Sequence, residues 1–271
     1  MDERAYRVGA SIWGFFSRRR PETWPTLGKA ATSILSLDES LGVEVWASRE
    51  REEPEATGAN FDDLVRACRS AAFVSVHTRG LFWHWDPKKL RHEIEFARTV
   101  GGETLVIHPV CLGLKRPGER IDVDEVQRIA VFGRARGVRL ALENVRDSIW
   151  SLDHVLDALG TDPEESNLGI CIDVGHAHLS ADTEPHADGA AAVSTYLRRY
   201  AQSLIHLHLH DNHGERDEHL AFGEGTIEWD RTLGTIEEIG FDGTAVLEIH
   251  GSEDDPTDAI KRSLDVIRRR A

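Results

Sequence analysis

The chain is poor in cysteine, in basic charge and in long apolar runs, and each shortage excludes something. Three cysteines, Cys68, Cys111 and Cys171, are dispersed through 271 residues with no CxxC pair. An odd, scattered set points away from a disulfide framework and towards reduced thiols in a cytoplasmic protein. Lys and Arg number 32 against 47 Asp and Glu, for a net charge of −15. That balance disfavours attachment to nucleic acid or anionic lipid, although a local basic groove stays open. No stretch approaches the roughly 20 apolar residues of a membrane span. The opening MDERAYRVGASIW carries acid and has no apolar core, so no signal peptide is expected. Linkers, charge blocks and low-complexity segments are also missing, and the expectation is one domain over residues 1–271.

What the chain does have is alternation. Short β-branched runs recur at 6–12, 42–46, 73–77, 104–108, 138–144, 168–173, 204–211 and 245–250. Helical patterns follow each, near 24–39, 60–71, 87–100, 122–136, 151–160, 187–201, 230–240 and 256–270. Asn60, Asp86-Pro87, Ser151 and Asp255-Pro256 read as helix starts, and Gly137, Gly160 and Gly240 as stops. Eight strand–helix units predict an α/β fold, a single (β/α)8 barrel. The open doubly wound alternative would bring a Gly-rich phosphate turn after its first strand, where this chain has WGFFSRRRPE.

Side chains alternate along a strand, so one face of each barrel strand points inward. Assigning the aliphatic residues to the helix side leaves His77, His108, Glu143, Asp173, His208 and Glu248 inside, near the carboxyl ends. Barrel active sites form at that end. So many carboxylates and imidazoles in a partly dry cavity need compensation, which a divalent cation supplies. Five of the 14 histidines fall between His206 and His219, in HLHLHDNHGERDEH, and His206, His208 and His210 share the inward face.

These residues resemble the xylose isomerase-like barrel superfamily, which includes sugar isomerases and epimerases, inosose dehydratases and endonuclease IV. The resemblance covers essentially the whole chain and rests on ALEN (141–144), DVGH (173–176), HLHDN (208–212), RDEHLAFGEGTIEW (216–229) and LEIH (247–250). It implies a core metal held by Glu143, Asp173, His208 and Glu248. In endonuclease IV further metals use positions that match His77, His108, His176, Asp217 and His219 here. One to three ions are therefore expected, manganese, zinc, cobalt or magnesium.

The leading activity the resemblance implies is that of a metal-dependent sugar or sugar-phosphate isomerase or epimerase. Glu143 and Glu248 would move a proton while the metal polarises a carbonyl and stabilises an enediolate. His176, His210, Trp13 and Trp46 are candidate substrate contacts, with His210 further out towards the rim. Glu44 reads as an inward salt-bridge partner. Ketose 3-epimerases carry another glutamate shortly after the strand-five ligand and an arginine after the strand-seven motif. ENVRDSIW and HDNHGER do not reproduce these, which argues against a free-ketose 3-epimerase. The alternative is a multinuclear zinc phosphoesterase acting on abasic DNA, with SRRRP (17–21) and LKRPGER (114–120) as the basic loops. A homo-oligomer is left open.

Overall fold

The computed structural model describes residues 5–16, 25–47, 59–79, 85–180 and 189–270. Eight parallel strands close on themselves in chain order: β1 (Arg7–Ser11), β2 (Gly42–Trp46), β3 (Val74–His77), β4 (Thr104–Ile107), β5 (Arg139–Glu143), β6 (Leu168–Asp173), β7 (Leu204–Leu209) and β8 (Thr244–Leu247). β1 pairs with β8 to shut the barrel, Ala10 opposite Leu247. Around it run α1 (Leu27–Leu35), α2 (Ala59–Cys68), α3 (Pro87–Val100), α4 (Val123–Arg134), α5 (Ile149–Leu159), α6 (Pro163–Ser166), α7 (Val174–Leu179), α8 (Gly189–Arg199), α9 (Trp229–Glu238) and α10 (Pro256–Arg268). No described helix is long and apolar enough to cross a membrane.

Alternation sorts the core into two layers. Val43, Val45, Leu105, Ile107, Leu140, Leu142, Leu207 and Leu247 belong to the large cluster between sheet and helices. Val106, Ala141, Cys171 and Ile205 form a small separate cluster. The first three occupy the inward parity of their strands and plug the barrel beneath the mouth. All three cysteines are free and buried, and burial pushes each thiol up to about 12.

Asp86 and Asp255 cap α3 and α10 as their sequence signals imply, accepting from Lys88 N and Thr257 N. Two expected starts move. Asn60 lies inside α2, and α5 begins at Ile149, so Ser151 is internal and its Oγ donates to Ser148 O instead. The chain also has two short helices, α6 and α7, that periodicity could not show. Elements of four and six residues are too short to display a 3.6-residue repeat.

Candidate active site and metal centre

Glu143, Asp173, His208 and Glu248 each bring a ligand atom to within 4.8 Å of the others, and all four are buried. His208 Nδ1 stands among the three carboxylates, 3.2 Å from Glu143 Oε1, 3.3 Å from Glu248 Oε2 and 3.9 Å from Asp173 Oδ2. Two further clusters flank this nest. His77 Nε2 and His108 Nε2 approach Glu143 Oε2 at 3.2 and 2.8 Å. Across the mouth, His176 Nε2 and His219 Nε2 each lie 3.2 Å from Asp217 Oδ2. All nine residues expected as metal ligands thus converge, and Glu143 belongs both to the nest and to the His77–His108 cluster, while Glu248 and His208 also group with His77.

The rings are held so that one nitrogen faces inward. His77 Nδ1 donates to Thr78 O, His176 Nδ1 to Asn144 O and His219 Nδ1 to Glu248 O, at 2.8, 2.9 and 2.9 Å. A carbonyl can only accept, so these bonds place the proton on Nδ1 and leave Nε2 towards the carboxylates. In the metal-free protein an inward nitrogen must be protonated to satisfy the carboxylate it meets. Burial opposes charge on His77, but the hydrogen bond and charge of Glu143 carry it up to about 9. Burial likewise opposes charge on His219, and Asp217 with Glu248 raises it to about 9. His176 and His208 are raised well above the usual imidazole value by neighbouring carboxylates, against the effect of burial. Burial alone would raise Glu143, yet the charges of His108 and His208 hold it well below the carboxylate range. The donor set fits a divalent cation, because mixed oxygen and imidazole ligands are oriented, dehydrated and short of a permanent positive charge.

Local chemistry explains the placement. Asp173 ends β6 and caps α7, its Oδ1 accepting from His176 N at 2.6 Å, so ligand and cap are one residue. Gly175 is required because a Cβ there would lie 1.9 Å from His210 Cε1. Asn144 stitches β5 to β6, accepting from Asp173 N and donating to Asp173 O. Asp211 is fully buried and touches none of the nest. Its carboxylate accepts from Asn212 N, Gly223 N, Ile227 N and Trp229 Nε1 at 2.9–3.1 Å, tying down the loop that returns Asp217 and His219 to the mouth. His219 sits at φ 50°, a left-handed backbone uncommon for any residue but glycine. Its carbonyl is pinned by His250 N and Gly251 N.

The substrate-facing expectations divide. Among the described residues Trp13 is the exposed aromatic, its ring 4.7 Å edge-on from His250 and 6.1 Å stacked on His77. Trp46 is half-buried against Phe16, and its indole N–H has no partner. His176 lies at the mouth beside Asp217. His210 is corrected: it is fully buried, with Nε2 3.0 and 3.1 Å from the two oxygens of Asp173, and it stacks on His219 at 3.7 Å. It braces Asp173 inside the barrel rather than standing at the rim. Sequence reasoning missed His250, which completes a stack with His219 at 4.1 Å and which burial lowers to about 2. Its position two residues after Glu248, on the inward parity of that strand, was the available signal. Of the two basic loops, SRRRP lies outside the described residues. In LKRPGER, Arg116 pairs with Glu119 at 3.4 Å.

The profile of a family described as xylose isomerase-like TIM barrel matches residues 40–270. The chain belongs to that family. An uncharacterised protein of Methanocaldococcus jannaschii, MJ1311, is 31% identical over 167 residues; the match covers 59% of this chain and about half, 55%, of that protein. An uncharacterised Mycobacterium tuberculosis protein, Rv0498, is 28% identical across 92% of this chain and 90% of its own. Among solved structures, this xylose isomerase-like barrel shares its fold with a D-tagatose 3-epimerase-like protein (22% identity, TM-score 0.61, 97% and 99% of the two chains). It also matches an L-ribulose 3-epimerase (16%, TM-score 0.67, 98% and 96%). A Thermus thermophilus protein, TTHB071, soaked with zinc chloride, is similar at 23% identity with TM-score 0.62 over 98% of both chains.

Proposed function

We propose that this chain is a divalent-metal-dependent enzyme of the sugar isomerase and epimerase class, acting on a small sugar or sugar phosphate. The observation that carries the reading is the meeting of Glu143, Asp173, His208 and Glu248 at one buried point, with the half-exposed Trp13 ring 6.1 Å from His77 beside it. A cation bound there supplies Lewis-acid polarisation of a carbonyl and offsets negative charge as a neighbouring carbon loses its proton. Asp173 and His208 serve as holders, since both are fully buried and braced from behind. The two glutamates are not equivalent. Glu143 is shared among His77, His108 and His208, which fits a ligand and bridge. Glu248 lies 3.3 and 3.8 Å from His208 and His219 and within 4.8 Å of His77, and among the described residues its carboxylate makes no hydrogen bond, which leaves it freer to take and return a proton. Trp13 offers an indole edge and face to a sugar ring, and His176 a donor to a sugar oxygen.

Metal analysis of purified protein combined with a screen of ketoses, aldoses and their phosphates tests this reading. Metal-stimulated solvent-deuterium exchange into a sugar, lost in Glu248→Gln, is the expected result. No exchange with any carbohydrate in the metal-loaded protein would overturn it.

A second reading, a multinuclear phosphodiester hydrolase, is favoured by one specific observation: the His77–His108–Glu143 and His176–Asp217–His219 clusters are both assembled. Three tightly held zinc ions and salt-sensitive nicking of abasic duplex would support it. Intact duplex after incubation with the three-zinc protein removes it.

A further inference from the structure

Glu44 is the inward carboxylate that the metal nest does not employ. It lies on β2, fully buried beneath His208. Its Oε2 accepts from Ser75 Oγ at 2.9 Å and lies 3.2 Å from His208 Nε2. His206 Nε2 comes within 3.4 Å of the same oxygen but makes no hydrogen bond, and Glu44 Oε1 is buried without a partner. His206 is engaged through its other nitrogen, Nδ1, 2.6 Å from Thr244 Oγ1.

A buried carboxylate with one bare oxygen is costly, so a plain structural salt bridge explains it poorly. The ring it faces is different from the others. His77, His176 and His219 lean on main-chain carbonyls, whereas His208 leans on a charged side chain. It also presents the opposite nitrogen, Nδ1, to the nest. We propose that Glu44 is a positioning residue that sets the metal affinity of the core site, accepting the Nε2–H of His208 so that Nδ1 keeps its lone pair for the ion. This inference rests on the metal reading of the core site.

The physical reasoning is that a neutral imidazole has two tautomers and a free ring flips between them. A carboxylate acceptor at Nε2 selects the Nδ1 lone pair, fixes the ring plane and increases electron density on the ligating nitrogen. Among the described residues no main-chain carbonyl meets Nε2 of His208, which lies within β7 and faces Glu44 instead. Glu44 reaches it from across the barrel, 164 residues away in sequence.

The experiment strips the full-length protein of metal and titrates zinc against a competing chelator, for wild type, Glu44→Ala and Glu44→Gln. Glu44→Ala is expected to bind core zinc about 10–100-fold more weakly. Glu44→Gln keeps an acceptor oxygen and is expected to fall between the two. Long-range 15N spectra of the zinc-loaded protein give a readout that a merely packing role would not move. His208 is expected to show Nε2–H with metal on Nδ1 in wild type and to lose that single state in Glu44→Ala. Unchanged zinc affinity in a folded Glu44→Ala would overturn the proposal and leave the metal reading intact. Wild type that binds no zinc would overturn both. If Glu44→Ala does not fold, the wild-type spectrum decides, because zinc on Nε2 of His208 contradicts the assignment.

Discussion

The two clusters flanking the core nest have similar donors and different foundations. His77 ends β3, His108 directly follows β4 and Glu143 ends β5, so adjacent staves of a hydrogen-bonded sheet position that cluster. His176 rides on the short α7, and Asp217 and His219 sit on a loop hung from Asp211. The first cluster is buried; in the second the Asp217 side chain is 43% exposed and His219 has a left-handed backbone. Sheet-borne ligands are pre-set by the fold, whereas loop-borne ligands depend on a tether and are open to water. If the core nest and the flanking clusters take metal, the difference predicts an order of loss under chelation: from the loop-borne cluster first, from the core nest last.

The largest test is at the shared residue. Glu143→Gln is expected to reduce turnover by about 10²- to 10⁴-fold. It should also lower the bound-metal count by more than one, because it removes a ligand from two groups. Glu248→Gln should match it in turnover and differ in metal count; equal counts would erase the asymmetry between the glutamates. Next come His77→Ala and His219→Ala, compared by elemental analysis after graded chelation. In protein loaded with metal at both flanking clusters, each should remove one ion, and only His219→Ala should leave metal retention at the sheet-borne cluster unchanged. Asp211→Asn places an amide against four N–H donors and should cost about 1–3 kcal/mol of stability in thermal unfolding. It should also weaken the loop-borne site selectively; equal weakening of the His77 cluster would break the comparison.

The smallest effect is with pH. His77 and His219 are each raised to about 9 from an ordinary 6.5. Their protonation stabilises the metal-free protein fully below 6.5, and that contribution is lost as pH rises through about 9. Zinc displaces the same protons, so its affinity should climb over that window, with proton release visible when calorimetry is repeated in buffers of different ionisation enthalpy. A higher melting temperature for the metal-free protein at about pH 9 than at pH 6.5 would contradict the sign.

Much of the strand-borne half was legible because parity is a local property. Once Leu140 and Leu142 face the helices, Glu143 faces in, and the same holds for His77, Asp173 and Glu248. The loop-borne half was legible only through family resemblance, since no periodicity says where Asp217 returns. Parity also states which way a residue faces and not what it meets. It could not show that Glu44 would reach His208, that His210 would brace Asp173, or that Asp211 would collect four donors from residues up to 18 positions away. Those pairings are fixed by how staves and loops close in three dimensions.

The clasp at Asp211 has a consequence for how such a barrel can be remodelled. One carboxylate and the donors it collects at Gly223, Ile227 and Trp229 define a socket, and everything threaded between them is cargo. A replacement insert that keeps these four anchor points should seat in the same frame, so the set of candidate ligands at the mouth becomes a property of an exchangeable cassette and leaves the eight staves untouched.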